Sequence, residues 1–213
     1  MKNVIITTIL ACIASGSLFA QEICLKDTLE KVTIYNGKKK HKKLLGKGVR
    51  IPGCATSWTP DRIGSEIGSV INVDHPFEVE EIIFTTLSNQ IESLELKIEI
   101  RPTEKLHTSI LTEDIRINIP KGEKQKQIVT PGKQLIIEPG EYFVSLIFSN
   151  CDEETKKRWS ENNENGKKQV NARAENILFP LYIKESYIRN NKEDEIESCP
   201  VNMGLKIKGI EYR

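Results

Sequence analysis

The residue types best suited to chemistry are scarce: the chain holds five cysteines and three histidines among its 213 residues. One cysteine, Cys12, falls inside an apolar N-terminal stretch, and the other four are Cys24, Cys54, Cys151 and Cys199. No Cys-x-x-Cys spacing occurs, and no histidine lies near any of these four. The pattern therefore argues against a zinc site, and a metal site or a reactive thiol is only the alternative interpretation.

Four cysteines in an exported chain predict two disulfides and allow three pairings. We expect Cys24 to pair with Cys54, and Cys151 with Cys199. These pairs close the shorter loops, and each brackets a segment poor in core residues. Each bridge would stabilise the fold by about 2–4 kcal/mol.

The three histidines give little support for catalysis. His41 lies in a run of lysines, and His107 stands where a strand is expected to begin. Asp74 and His75 supply two members of a Ser-His-Asp triad, but the Gly-x-Ser-x-Gly sequence of a nucleophile elbow is missing. We interpret Asp74-His75 as a polar turn before Pro76 and predict that the protein is not an enzyme.

The acidic clusters 152–154 and 193–195 offer oxygen atoms of the kind that calcium prefers. Neither has the spaced ligands of a calcium-binding loop, so we interpret both as solvated charge. The glycine-spaced segment 64–68 lacks the lysine of a phosphate-binding P-loop. The sequence therefore predicts no metal ion and no cofactor.

Clustered lysines are the first candidate contact residues. They stand around His41 and are Lys38, Lys39, Lys40, Lys42 and Lys43. Such a run attracts polyanions, although a solvated, flexible linker is the alternative. We place it in an N-terminal arm, residues 21–61, that has little periodic apolar pattern.

The second contact candidates are the only two tryptophans, Trp58 and Trp159. Both fall in expected loops, where an exposed indole can stack on a sugar or anchor a protein partner. Packing over one end of the fold is the alternative. Trp159, flanked by basic and acidic residues, is the better contact candidate.

The N-terminal twenty residues have the layout of a secretory signal peptide. Lys2 supplies the positive charge, residues 4–14 are mainly apolar, and small residues precede Ala20. We expect cleavage after Ala20 and therefore a periplasmic, outer-membrane-associated or secreted protein. An uncleaved anchor and a lipoprotein modified at Cys12 remain as alternatives.

Charge is balanced along the rest of the chain. The whole sequence has 31 basic and 30 acidic residues, for a formal net charge of +1, and removal of Lys2 with the signal peptide brings this to zero. Such a balance gives no overall attraction to nucleic acid or to anionic membranes. We predict no nucleic-acid partner and no transmembrane segment after cleavage.

Apolar and polar residues alternate over residues 94–100, 115–119 and 142–148, with Pro-Gly turns between such segments. This period of two predicts strands with one buried face, and short connections favour antiparallel pairing. We therefore predict an all-β fold for residues 62–213: an antiparallel two-sheet sandwich, jelly-roll-like. The best helix candidate, residues 153–161, is mostly polar and lies in the expected loop 151–175.

Several short segments resemble an exported β-sandwich domain of Bacteroidota that usually follows a carboxypeptidase-regulatory-like domain. They are residues 64–71, 76–77, 82–84, 96–100, 142–146, 177–181, 186–189 and 203–207. The resemblance implies an envelope-associated sandwich of unassigned function and supplies no catalytic residues. The forty residues before the sandwich are too few for the usual preceding domain, so the resemblance implies a stand-alone version.

Three functions follow as hypotheses. The first is a non-enzymatic exported interaction module of the cell envelope, with an envelope protein as partner. The second is a carbohydrate-binding module with a glycan as ligand, which rests on analogy with other jelly-roll folds. The third is a hydrolase with an unrecognised site.

Overall fold

The computed structural model describes residues 39–46, 48–164 and 175–213. The expected signal peptide, Cys24 and Lys38 lie outside the described residues. The described residues belong to one compact unit, residues 38–213.

The described chain is built almost entirely of antiparallel strands, which confirms the predicted all-β fold. The strands are β1 (Lys40–Leu45), β2 (Val49–Trp58), β3 (Glu66–Val73), β4 (Phe77–Asn89), β5 (Leu94–Pro102), β6 (Ile115–Ile119), β7 (Gly122–Val129), β8 (Leu135–Ile137), β9 (Gly140–Asn150), β10 (Ile177–Arg189), β11 (Glu197–Asn202) and β12 (Lys206–Tyr212). One helix, α1 (Glu153–Glu164), and two short 3-10 turns, Pro60–Arg62 and Thr103–Lys105, complete the elements of the described residues.

The sandwich has two layers, and strand β10 belongs to both. Hydrogen bonds connect the strands in the order β1-β12-β4-β10-β3-β9-β5-β6. The start of β10 pairs with β4, where Ile177 faces Asn89, and its end pairs with β3, where Arg189 faces Glu66. Strands β7 and β8 extend the first layer beyond β4, while β2 and β11 flank β10.

The core forms because the alternating apolar side chains of both layers point inward. In β5 the four apolar residues are fully buried: Leu94, Leu96, Ile98 and Ile100. Ile82 and Phe84 of β4 and Ile207 of β12 join the same cluster from the other layer. Full burial of each such side chain stabilises the fold by about 1.5–3 kcal/mol.

The sandwich begins earlier than the sequence indicates, because part of the expected arm pairs with the sheet. Strand β1, which carries most of the lysine run, pairs with β12, and Leu45 packs against the core. Strand β2 pairs with β10 across an irregularity in register at Pro180–Tyr182. These strands were not predicted, because cross-strand pairing to distant residues holds them in place more than their own apolar pattern does.

Both tryptophans are buried, which agrees with the packed alternative and not with exposed contact residues. Trp58 ends β2 at 5% exposure, its ring stacked 6.2 Å from Phe148 and edge-on 5.0 Å from Phe179. Trp159 is 7% exposed on α1, which packs against the Pro60–Arg62 turn. Burial removes more apolar surface from water for an indole than for most other side chains, and this favours the packed alternative.

The first part of the segment 151–175, expected to be a loop, forms helix α1 in the structure. Its N-terminus is capped by Asp152, whose Oδ1 accepts a hydrogen bond from the Thr155 backbone N–H at 2.8 Å. A side-chain cap and burial of Trp159 therefore stabilise a helix of 12 residues that its mostly polar sequence does not favour.

The Cys151–Cys199 disulfide does not form in the structure, and Cys54, Cys151 and Cys199 are free thiols. Cys151 follows β9 and is buried in the core, whereas Cys199 lies on β11 opposite Ser186. The Cys199 thiol donates to the Val201 carbonyl oxygen at 2.9 Å instead. The expected partner of Cys54, Cys24, lies outside the described residues.

Candidate binding groove

The lysine run is split between exposed and paired side chains. Lys39, Lys40 and Lys42 are exposed, while Lys43 donates to Glu211 Oε1 at 2.7 Å and to Asp74 Oδ2 at 3.2 Å. The hydrogen bond to Glu211 raises the pKa of Lys43 above its ordinary value. Lys43 is therefore a structural cation.

Asp74 and His75 lie in the bend between β3 and β4. Asp74 accepts a hydrogen bond from Lys43, which turns its carboxylate toward β1, and His75 is exposed. His107 lies at the surface with Nε2 3.8 Å from Glu195 Oε2. Within the described residues, no three potential metal ligands of the His, Cys, Asp and Glu types are grouped together.

The structure shows instead a groove that sequence reasoning missed. It has a volume of about 440 Å³ and lies on the outer face of the first layer. Its main lining side chains are Ile83, Thr85, Lys124, Lys126, Tyr182 and Lys206. We call it the lysine groove.

Strand register places these side chains on one face. Ile82 and Phe84 of β4 point into the core, so Ile83 and Thr85 point outward. Thr85 faces Lys126 across the pair with β7, and Ile83 faces Lys206 across the pair with β12. Residues directly opposite each other in a sheet share a face, so cations from β7 and β12 flank a floor contributed by β4.

The three lysines of the groove have no acidic partner among the described residues. No carboxylate of these residues lies within 4.0 Å of Lys124, Lys126 or Lys206, whereas Lys43, Lys121, Lys133 and Lys208 in and around the same layer are paired. The next lysine along β12, Lys208, binds Glu81 Oε1 at 2.6 Å. The charge of Lys208 is therefore compensated, and the unpaired positive charge of the groove does not extend to this position.

Tyr182 forms one wall of the groove, and two glycines make room for its ring. A Cβ atom on Gly204 would lie 2.2 Å from the tyrosine Cε2, and one on Gly48 would lie 3.2 Å from its Cβ. Gly204 also has a φ of +71°, a conformation that favours glycine. Its backbone N–H donates to Asn202 Oδ1 at 2.7 Å, which fixes this turn against the ring.

A second charged cluster lies on the outer face of the other layer, and its hydrogen bonds indicate a structural role. The fully buried Glu66 accepts hydrogen bonds from Arg101, from Ser145 and, at 2.7 Å, from Arg189 Nη2. Lys97 continues the network, with Nζ 2.8 Å from both Glu99 Oε1 and Asp114 Oδ1. Because charge is compensated within the cluster, it offers no net attraction to a ligand.

The pattern Lys124-x-Lys126 is the one local signal that sequence reasoning could have used, since it indicates a basic strand face. Nothing local connects it to Tyr182 or Lys206, which lie more than fifty residues downstream. The groove depends on strand order, and strand order was not predicted.

No family model matches the chain, and no curated protein and no solved structure shows significant similarity to it. In the described part of the chain, no helix has the length and apolar character needed to cross a membrane.

Proposed function

We propose that the protein is a non-enzymatic, exported binding module that holds an anionic component of the cell envelope in the lysine groove. The observation that carries this proposal is the set of three unpaired lysines around one concave surface. Export rests on the signal-peptide pattern of residues 1–20.

Unpaired cations on one face favour a binding role over a structural one. Like charges gathered on one face of a sheet repel each other. Several other lysines of this region are compensated, as Lys43 is by Glu211 and Lys208 by Glu81. The net charge of the chain is near zero, so overall charge does not attract anions. A group of lysines without acidic partners can attract an anion locally.

Calorimetric titration of the mature chain with dextran sulfate at several salt concentrations tests this function. Replacement of Lys124, Lys126 and Lys206 by Gln is expected to abolish most of the heat of binding and to flatten the dependence of affinity on salt. The matched control replaces three exposed lysines outside the groove, Lys105, Lys133 and Lys157.

The control variant has the same net charge as the groove variant, so it separates a site from overall charge. Equal losses in both variants would show that attraction is spread over the surface, and the groove assignment would fail. Absence of binding by the unmodified protein at low salt would reject the anion-binding function itself.

A further inference from the structure

We infer that the ligand of the lysine groove is an acidic oligosaccharide, a sugar chain with carboxylates on neighbouring units. This inference rests on the proposed anion-binding function and adds the chemical class of the ligand. It is argued from the spacing of the cations, the apolar floor between them and the free ring of Tyr182.

The cations are anchored at separate points around the groove. Lys124 and Lys126 are two residues apart on β7, or about 7 Å along the strand. Lys206 lies on β12, on the far side of β4 from β7, and two strand spacings amount to about 10 Å. This spread of the backbone positions fits a ligand with separated charges.

Lysine suits such a ligand because its ammonium group is a point charge on a flexible stem. Compact phosphate sites usually add convergent backbone N–H groups or the planar fork of arginine to any lysine they contain. Backbone groups of β4 are engaged by β7 on one side and β12 on the other, and no arginine is among the described residues that line the groove.

Apolar side chains cover part of the surface between the cations. Ile83 is half-buried in the floor, and Ile128, which faces it from β7, is 53% exposed. Aliphatic and aromatic surfaces pack against the C–H faces of sugar rings, whereas a bare inorganic polyanion gains nothing from them.

Tyr182 adds a hydrogen-bonding group to this apolar surface. Its hydroxyl makes no hydrogen bond with any described residue, and its ring is only half-buried. The Thr85 hydroxyl stands in the same groove, and neither hydroxyl is hydrogen-bonded to another side chain of the described residues. Together they provide donors and acceptors for the hydroxyl groups of a sugar.

The test compares three probes of matched size in calorimetric titrations of the mature chain: trigalacturonate, the neutral sugar maltotriose and the sugar-free anion triglutamate. We expect trigalacturonate to bind most tightly. Tyr182→Ala should weaken its binding while leaving the weaker binding of triglutamate unchanged. Each single change of Lys124, Lys126 or Lys206 to Gln should weaken trigalacturonate binding about two- to five-fold.

A second substitution distinguishes a loss of binding from a loss of folding. Tyr182→Phe keeps the ring and removes only the hydroxyl, so it should retain the thermal midpoint and part of the selectivity for trigalacturonate over triglutamate. Equal binding of trigalacturonate and triglutamate, unaffected by Tyr182→Ala, would overturn the sugar assignment and leave anion binding standing. Failure of both anions to bind, or equal binding of maltotriose, would overturn the proposed function as well.

Discussion

Arg189, the last residue of β10, and Glu66, the first residue of β3, are connected both by strand pairing and by their side chains. The two residues face each other in the antiparallel pair, and Arg189 Nη2 donates to Glu66 Oε2 at 2.7 Å. Since the Glu66 side chain is fully buried, its charge depends on this contact and on Arg101 and Ser145 for stabilisation.

Replacement of Arg189 by Ala is expected to lower the free energy of unfolding by about 1.5–3 kcal/mol, the contribution of a hydrogen bond to a charged group. Urea denaturation monitored by circular dichroism measures this change. Arg189→Lys keeps a cation near Glu66 and should lose less. A loss of equal size in both variants would show that side-chain shape, not charge, matters here.

Replacement of Trp58 by Ala is expected to lower the free energy of unfolding by about 3–5 kcal/mol, because it leaves a cavity beside Phe148 and Phe179. Trp58→Phe, which fills most of the space, should cost much less. The native protein should also show blue-shifted tryptophan emission that iodide quenches weakly. Strong quenching of both tryptophans would contradict their burial.

The free energy of unfolding should depend on the protonation of Glu211 at acid pH. The hydrogen bond from Lys43 holds the pKa of Glu211 below its ordinary value of 4.5. This pair therefore stabilises the native state above that value, and its contribution is lost as the pH falls through the acid range.

Lys43→Gln should accordingly destabilise the protein at pH 7 and lose its effect as the pH falls through the acid range below 4.5, where Glu211 binds a proton. Thermal unfolding as a function of pH measures both. Lys42→Gln, at the exposed neighbouring position, is the matched control and should show no such pH dependence. A penalty for Lys43→Gln that persisted at low pH would exclude the ion pair as its cause.

Cys151 should make the protein less stable in alkaline solution. Burial raises the pKa of its thiol from 9.0 to about 11. Between these values the unfolded chain releases the proton while the native protein keeps it, so rising pH favours unfolding. Under reducing conditions, Cys151→Ala should show a flatter decline of the free energy of unfolding from pH 9 upward; an unchanged decline would place the cause elsewhere.

Export predicts a defined mature N-terminus. Intact-mass measurement of the protein recovered from the cell envelope or the medium is expected to give a chain that begins at Gln21. A mass that includes residues 1–20 would indicate an uncleaved anchor. A diacylated chain that begins at Cys12 would indicate a lipoprotein.

The sequence predicted the strands whose own residues alternate. Strand β5 was predicted because Leu94 to Ile100 alternate with charged residues, and the structure buries every one of these apolar side chains. Strand β1 was not predicted because its lysine-rich sequence is held in the sheet by pairing with β12, about 170 residues later. Local patterns carry no information about such long-range pairing.

The candidate site was not predictable for the same physical reason. Trp58 and Trp159 were expected in loops, with packing over one end of the fold as the alternative to contact, and the elements that bury them are distant in sequence. Lys206 reaches the groove only because β12 pairs with β4. A site made by strand order becomes visible only when that order is known.

The sharing of β10 between the two layers has a consequence for unfolding. Neither layer can separate from the other while this strand keeps its partners β4 and β3. Removal of β10 would expose the edges of both layers at the same time. The described sandwich should therefore unfold as one cooperative unit, with the amide hydrogens of β10 exchanging with solvent only through global unfolding.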